Sequence, residues 1–169
     1  GNIPTELGEL TLMTQMFNLA DNTLTGGIPT QIGRFTELYQ DIVLRNNELT
    51  SIPTEFGHFT ALTGVFQMNK NKIVGTIPTE LGMMTKMVNA FFLHENSFTG
   101  EMPSELGTFT EGEFYDIVSA FNLRDNQICG DIPNEVAALS QQMLNQNSNP
   151  DEDGWFELVE GNSVGTPCN

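Results

Sequence analysis

The stretch that decides the fold runs from Ile77 to Gly100 and reads IPTELGMMTKMVNAFFLHENSFTG. Its opening recurs along the chain as an Ile-Pro or Met-Pro pair, and in the first five copies a Gly stands five residues after that Ile or Met. Self-similarity at a period of about 20 to 50 residues predicts a stack of repeated coils. The pairs begin at Ile3, Ile28, Ile52, Ile77, Met102 and Ile132, at steps of 25, 24, 25, 25 and 30 residues.

A second element follows in five copies and has the form apolar-x-apolar-x-x-Asn. Two apolar residues at i and i+2 point to the same side of a strand, so the element predicts a short strand buried against neighbouring coils. The Asn amide can satisfy backbone groups of a tight inward turn. We therefore expect an internal ladder and an aligned Asn column. The ladder residues are Phe17, Ile42, Phe66, Phe91 and Phe121; their partners are Leu19, Leu44, Met68, Leu93 and Leu123; the column is Asn22, Asn47, Asn71, Asn96 and Asn126.

With these residues in phase, the chain resembles the plant-type leucine-rich-repeat family over residues 1–139. The resemblance implies an α/β fold: a right-handed solenoid with a concave parallel β-sheet, short 3-10 or helical turns with a minor second strand on the convex side, and a C-terminal cap. It also implies the family's usual role in extracellular recognition, as receptors, receptor-like proteins or enzyme inhibitors. The strand element stands one residue later than usual, and the fifth copy is five residues longer.

The repeats suggest two regions. Residues 1–131 are expected to form five repeats, the first truncated upstream so that the true N-terminus is missing, and the fifth carrying an insertion near 111–116. Residues 132–169 are expected to form a partial sixth turn and a cap, because no later apolar-x-apolar-x-x-Asn element occurs. A short helix is expected over 136–144. The apolar residues expected to seal the stack are Trp155, Phe156, Leu158 and Val159.

The two cysteines, Cys129 and Cys168, flank the expected cap. A disulfide between them would tie the C-terminal tail to the last full repeat and would indicate an oxidising compartment, extracellular or at the cell surface. Two buried free thiols are the alternative.

Charge and motifs exclude several function classes. With 6 Lys and Arg against 22 Asp and Glu, the net charge is −16. That balance disfavours nucleic acid and anionic membranes as partners. Apolar runs such as residues 90–93 are too short to span a membrane. The two histidines, His58 and His94, lie in different repeats and phases, and the catalytic motifs of hydrolases and nucleotide-binding enzymes are missing. We therefore expect no enzyme and no cofactor.

One segment fits the spacing of a calcium loop. Oxygen-bearing residues Asn149, Asp151, Asp153 and Glu160 stand at its positions 1, 3, 5 and 12, with Gly154 at position 6. Position 1 is an Asn followed by Pro, and the residues after the loop do not read as a helix. A plain acidic turn is the alternative.

Strand alternation places a second set of residues on the concave face. The candidates for partner binding are Val43, Arg45, Lys70, Phe92, His94 and Arg124, with Phe114 and Tyr115 from the insertion. Exposed aromatic residues beside Arg and His are typical of interface anchors. The alternatives are that the cations balance acids such as Asp21, Glu48, Glu95 and Asp125, that Phe92 packs sideways, and that the insertion folds back onto the stack.

Three functions remain open. The leading hypothesis is a non-catalytic module that binds a protein partner through its concave face. The second is an ice- or crystal-surface-binding protein, suggested by two in-phase rows of hydroxyl residues. The third is a structural subunit of a larger extracellular or membrane-associated assembly. The rows are Thr5, Thr30, Thr54, Thr79 and Ser104, and Thr11, Thr36, Thr60, Thr85 and Thr110; a parallel acidic row comprises Glu6, Glu55, Glu80, Glu105 and Glu135.

Overall fold

The computed structural model describes residues 1–109, 121–138 and 160–168. Five short strands, one from each coil, form a parallel sheet in the order β1-β3-β5-β7-β9. Neighbours in this sheet pair in register, for example Phe66 with Phe91 and Phe91 with Phe121. The strands are β1 (Met16–Asn18), β3 (Asp41–Val43), β5 (Phe66–Gln67), β7 (Phe91–Phe92) and β9 (Phe121–Asn122).

The internal ladder is confirmed. All five of its side chains are buried, and register places Ile42 between Phe17 and Phe66. The Phe66 and Phe91 rings stack with centroids 5.3 Å apart, and Phe91 stacks on Phe121 at the same spacing of 5.3 Å. Such ring pairs contribute about 0.5–1.5 kcal/mol beyond the burial of their area.

A 3-10 turn follows each Pro on the opposite side of the coil. Proline suits this start because its φ is fixed, here at −61° before the fourth turn. Glycine at the fourth residue of each turn lets neighbouring turns stack, since a Cβ on Gly33 would lie 2.6 Å from the Cβ of Glu55. The turns are η1 (Thr5–Glu9), η2 (Thr30–Arg34), η3 (Thr54–His58), η4 (Thr79–Met83) and η5 (Ser104–Thr108).

The expected minor second strands are also present. They form one two-stranded and one four-stranded parallel sheet, in the orders β2-β4 and β11-β10-β8-β6. Their bounds are β2 (Thr25–Gly27), β4 (Glu48–Ser51), β6 (Val74–Gly75), β8 (Ser97–Glu101), β10 (Gln127–Gly130) and β11 (Ser163–Val164).

The Asn column is aligned as predicted. The Nδ2 of Asn71 donates to the carbonyl of Met68 in its own coil at 3.0 Å and to that of Leu44 in the preceding coil at 3.1 Å. Its Oδ1 accepts from the backbone N–H of Leu49 at 3.0 Å. Each amide therefore joins two coils at the inward bend. The same pattern recurs at Asn47, Asn96 and Asn126.

The repeat was expected to end before residue 140, and for the Asn column this expectation is wrong. Asn162 continues it, because its Oδ1 accepts from Ile128 N–H and its Nδ2 donates to the Leu123 carbonyl, both at 2.9 Å. The predicted disulfide is confirmed, joining Cys129 to Cys168 with Cα atoms 5.2 Å apart. The Asn162 hydrogen bonds and the disulfide together hold the C-terminal tail against the last full coil.

A helical turn occupies residues 134–138 and starts two residues before the predicted helix. The remainder of 136–144, the insertion at 111–116 and the sealing residues 155–159 lie outside the described residues. Within the ranges that are described, no helix has the length and apolarity that a membrane crossing requires.

Candidate binding face

Three columns of side chains run across the outward side of the five-stranded sheet, one residue per coil. The first column follows the ladder residue, the second follows the second buried apolar residue, and the third is the next residue along. They are Asn18, Val43, Gln67, Phe92 and Asn122; Ala20, Arg45, Asn69, His94 and Arg124; and Asp21, Asn46, Lys70, Glu95 and Asp125.

The first column corrects one expectation. Val43 is only 8% exposed and is no exposed anchor. Val43 pairs in register with Asn18 on one neighbouring strand and Gln67 on the other, so its short side chain is flanked by two longer ones. Phe92 is half-buried, and its ring meets the imidazole of His94 edge-on with centroids 5.6 Å apart. Phe92 therefore forms a side wall for the second column while keeping part of its ring exposed.

The cations of the face are paired with the acids that were expected to balance them. Arg45 lies 2.8 Å from Asp21, Lys72 lies 2.8 Å from Glu48, and Lys70 lies 3.7 Å from Glu95. Exposed pairs of this kind contribute about 0–1 kcal/mol each. Because such pairs are weak, a partner could replace them. The ion pairs therefore neither support nor oppose partner binding at this face. The contact with Lys72 also lowers the pKa of Glu48.

The third column has left-handed backbone in every coil, with φ between 54° at Glu95 and Asp125 and 57° at Asp21 and Lys70. Asn and Asp tolerate this conformation better than other residues with a side chain, whereas Lys and Glu adopt it at a cost. Lys70 is held there by its N–H bond to the His94 carbonyl at 3.0 Å. The backbone strain is therefore carried by Lys70 and Glu95, which directly follow Asn69 and His94.

Three buried polar atoms of the second column have no hydrogen-bond partner among the described residues. They are Asn69 Oδ1, His94 Nδ1 and Arg124 Nε, and they come from three successive coils. Asn69 is only 5% exposed and the His94 side chain 12%. Arg124 Nε lies 3.5 Å from Asp125 Oδ2, which is ion-pair range, yet the two are not aligned as a hydrogen bond. Buried polar groups normally have partners. These three atoms are shielded from solvent by the packing of the column itself, so they are unpaired groups within the face and not open binding positions.

The surroundings of His94 favour its neutral form. Burial lowers its pKa, the nearby Glu95 and Asp125 carboxylates oppose that shift, and the Arg124 and Lys70 cations add to it. Glu95 Oε1 lies 3.9 Å from Nε2.

The structure thus brings four predicted residues together in three adjacent coils: Lys70, Phe92, His94 and Arg124. Arg45 lies one coil further toward the N-terminus, beside Asp21. Asn69 was not among the candidates. Its signal was its repeat position, which it shares with His94 and Arg124. Phe114 and Tyr115 lie outside the described residues.

Among the described residues, no three His, Cys, Asp or Glu side chains are grouped so that they could hold a metal ion. The calcium loop remains a prediction, since Asn149, Asp151 and Asp153 fall outside those residues and only Glu160, which is exposed, falls within them.

The first hydroxyl row is exposed in full on the stacked 3-10 turns. Each of its hydroxyls donates to the Glu or Gln that follows it, for example Thr79 to Glu80 at 3.3 Å. The second row is exposed at Thr11, Thr36 and Thr60 and half-buried at Thr85, while Thr110 lies outside the described residues.

No family model matches the chain, and no curated protein matches it. Several solved structures do match the chain. The leucine-rich-repeat ectodomain of the plant membrane receptor kinase GASSHO1/SCHENGEN3 from Arabidopsis thaliana, in complex with Casparian strip integrity factor 2, is 39% identical over 82% of this chain and 16% of that chain, with a TM-score of 0.72. A plant ice-binding protein is 27% identical over 82% of this chain and 42% of its own, with a TM-score of 0.68.

The BIR3–SERK2 complex from Arabidopsis thaliana is 25% identical over 90% of this chain and 71% of that chain, with a TM-score of 0.66. This chain spans about one sixth of the GASSHO1 ectodomain and less than half of the ice-binding protein. The in-phase repeats, the aligned Asn column and these structural neighbours together make the chain a plant-type leucine-rich-repeat protein.

Proposed function

We propose that the chain is a non-catalytic recognition module that binds a protein or peptide partner across its concave face. The observation that carries the proposal is Phe92 on the outward side of the sheet, whose half-buried ring lies edge-on to His94 and offers apolar contact area. The partly exposed side chains of Arg45, Lys70 and Arg124 lie on the neighbouring coils of the same face. A partner that covers this face would complete the burial of the ring and contact these cations.

Two further observations support the role. The GASSHO1 ectodomain was solved with Casparian strip integrity factor 2, and a second neighbour is a complex between BIR3 and SERK2. The Cys129–Cys168 disulfide fits an oxidising compartment, so the module acts outside the cell or at its surface.

The test is a pull-down from the native source, followed by mass spectrometry of the captured proteins. The wild-type chain is compared with the double variant Arg45→Ser/Phe92→Ala. A matched control, Arg34→Ser/Leu12→Ala, removes one exposed cation and one exposed apolar residue away from the columns. The partner should be lost with the concave variant and kept with the control. Equal capture by the concave variant would overturn the concave-face assignment.

Ice binding is the second candidate. The exposed Thr row and the likeness to a plant ice-binding protein favour it. Against it, each hydroxyl of the row is already bonded to its Glu or Gln neighbour, and carboxylates line the same turns. An ice-recrystallisation assay decides. Inhibition that disappears in Thr54→Leu/Thr79→Leu would support this function, and no inhibition by the wild type would remove it.

A further inference from the structure

In the third column of the concave face, two residues do not suit the backbone conformation that they adopt. Asp21, Asn46 and Asp125 occupy left-handed backbone, which Asn and Asp adopt readily. Lys70 and Glu95 occupy the same backbone at φ values of 57° and 54°, and residues of these types disfavour it. Sparsely populated backbone of this kind clusters at functional sites, which directs attention to these two side chains.

The repeat itself does not require a Lys or a Glu at this position. The backbone N–H of Lys70 donates to the His94 carbonyl at 3.0 Å, and the N–H of Asn46 donates to the equivalent carbonyl, that of Asn69, at the same distance of 3.0 Å. An Asn therefore makes the bond between neighbouring coils as well as a Lys does, because the bond involves no side chain.

The contact between the two side chains does not explain them either. Lys70 Nζ lies 3.7 Å from Glu95 Oε1, whereas Arg45 lies 2.8 Å from Asp21. The Glu95 carboxylate is 3.9 Å from Nε2 of His94, which is too long for a hydrogen bond. The Lys70 side chain is 51% exposed and that of Glu95 42%, and exposed ion pairs contribute little to stability. Both charged groups are therefore accessible to a partner.

Position and sign define what the two groups fit. They lie on adjacent coils, about 4.8 Å apart, and present a cation beside an anion. A carboxylate complements Lys70, and an ammonium or guanidinium group complements Glu95. On an extended segment, residues i and i+2 point to the same side about 7 Å apart, a spacing that the long side chains of Lys and Glu span. Phe92, on the same coil as Glu95, offers apolar contact beside them.

Building on the proposed function, we propose that Lys70 and Glu95 are specificity-determining residues of the concave face and bind an acidic and a basic side chain on one extended peptide segment of the partner. The acidic residue contacts Lys70, the basic residue contacts Glu95, and an apolar residue packed on Phe92 fixes the direction of the segment. The backbone strain at the two positions is the cost of placing long charged side chains there.

The first test reverses the two charges and needs no native partner. A random-peptide display library is selected on the immobilised full chain and, separately, on Lys70→Glu/Glu95→Lys, which keeps an opposite pair on the same strained backbone. Peptides from the wild type should carry an acid and a base two residues apart, beside an apolar residue. Those from the reversed variant should carry the two charges in the opposite order.

Wild-type peptides should bind the reversed variant about tenfold more weakly or worse, because each charge then meets its own sign. The matched control is Lys72→Glu/Glu48→Lys, which reverses another exposed pair, 2.8 Å apart and without left-handed backbone. It should bind the wild-type peptides with unchanged affinity.

The second test measures the backbone strain. Glu95→Asp keeps the charge and places a residue that tolerates left-handed backbone, so it should raise the midpoint of thermal unfolding by about 2 °C. Glu48→Asp makes the same change on ordinary strand backbone and should not raise it.

Three outcomes would overturn the assignment: no peptide enriched on the wild type, equal binding of wild-type peptides to the reversed variant, or no gain in stability from Glu95→Asp. Capture of a native partner that still depends on Arg45 and Phe92 would in each case leave the proposed function standing.

Discussion

At the residue scale, the amide of Asn71 shows how a polar side chain stabilises an apolar stack. It bonds the carbonyls of Leu44 and Met68 and the N–H of Leu49, three backbone groups that point inward from two coils. Stacking of the coils partly buries these groups. The amide therefore removes a penalty of about 1–3 kcal/mol for each group left without a partner.

Asn71→Ala should consequently lower the free energy of unfolding by at least about 3 kcal/mol. Urea denaturation followed by circular dichroism measures the loss. Asn22→Ala is the matched control, because Asn22 is exposed and its Nδ2 bonds only carbonyls of its own coil, those of Leu19 and Ala20. That variant should lose about 1 kcal/mol or less. Equal losses at the two positions would contradict the bridging role.

His94 should make stability depend on pH. Because burial lowers its pKa in the folded state, the unfolded chain binds a proton more readily. Stability therefore rises with pH between the folded and unfolded pKa values, and it falls as the pH drops below the unfolded value of about 6.5.

The check is a comparison of unfolding free energies at pH 7 and pH 5. His94→Gln should lose less stability on acidification than the wild type does, because it has no imidazole to protonate. His58→Gln, at an exposed position, should follow the wild type. Parallel curves for the wild type and His94→Gln would refute the expectation.

At the scale of elements, the 3-10 turns stack because each glycine leaves room for the next turn. A methyl group on Gly33 would lie 2.6 Å from both the Cβ and the carbonyl oxygen of Glu55, closer than packed atoms tolerate. Gly33→Ala should force η2 and η3 apart and cost about 1–3 kcal/mol. Thermal unfolding measures this loss of stability. Thr30→Ala, exposed on the same turn, should stay within about 0.5 kcal/mol of the wild type. A Gly33→Ala protein as stable as the wild type would show that the turns need not touch.

The same elements show how far the sequence predicts the structure. The ladder and the Asn column were predictable because both need only residue type and phase. Asn162 was missed because the position five residues before it is Glu157, so its copy lacks the first apolar residue. The burial of Val43 and Asn69 was missed because a side chain on the sheet surface is covered by residues of neighbouring coils, which alternation within one strand does not report.

At the scale of the whole molecule, each coil contacts only its neighbours, so stability is local. The disulfide ties Cys129 on β10 to Cys168, across a sequence separation of 39 residues. Cys129→Ala/Cys168→Ala should cost about 2–4 kcal/mol, and the loss should be confined to the last coil.

Hydrogen exchange locates that loss. In the double variant, amides of 121–130 and 160–168 should exchange faster, while those of the first three coils keep their wild-type rates. Wild-type protein treated with a reductant should behave as the variant does. Faster exchange spread evenly along the chain would instead indicate a single cooperative unit.

The fifth coil carries five more residues than the others, yet Phe121 still pairs with Phe91 and Asn126 still bonds the Leu93 carbonyl at 3.1 Å. Coil spacing is thus set by the bonds between coils and not by the number of residues in each. The extra residues lie between Thr108 and Phe121, and the strand that follows them keeps its register. A designer who wants to display a foreign loop on this protein would begin there.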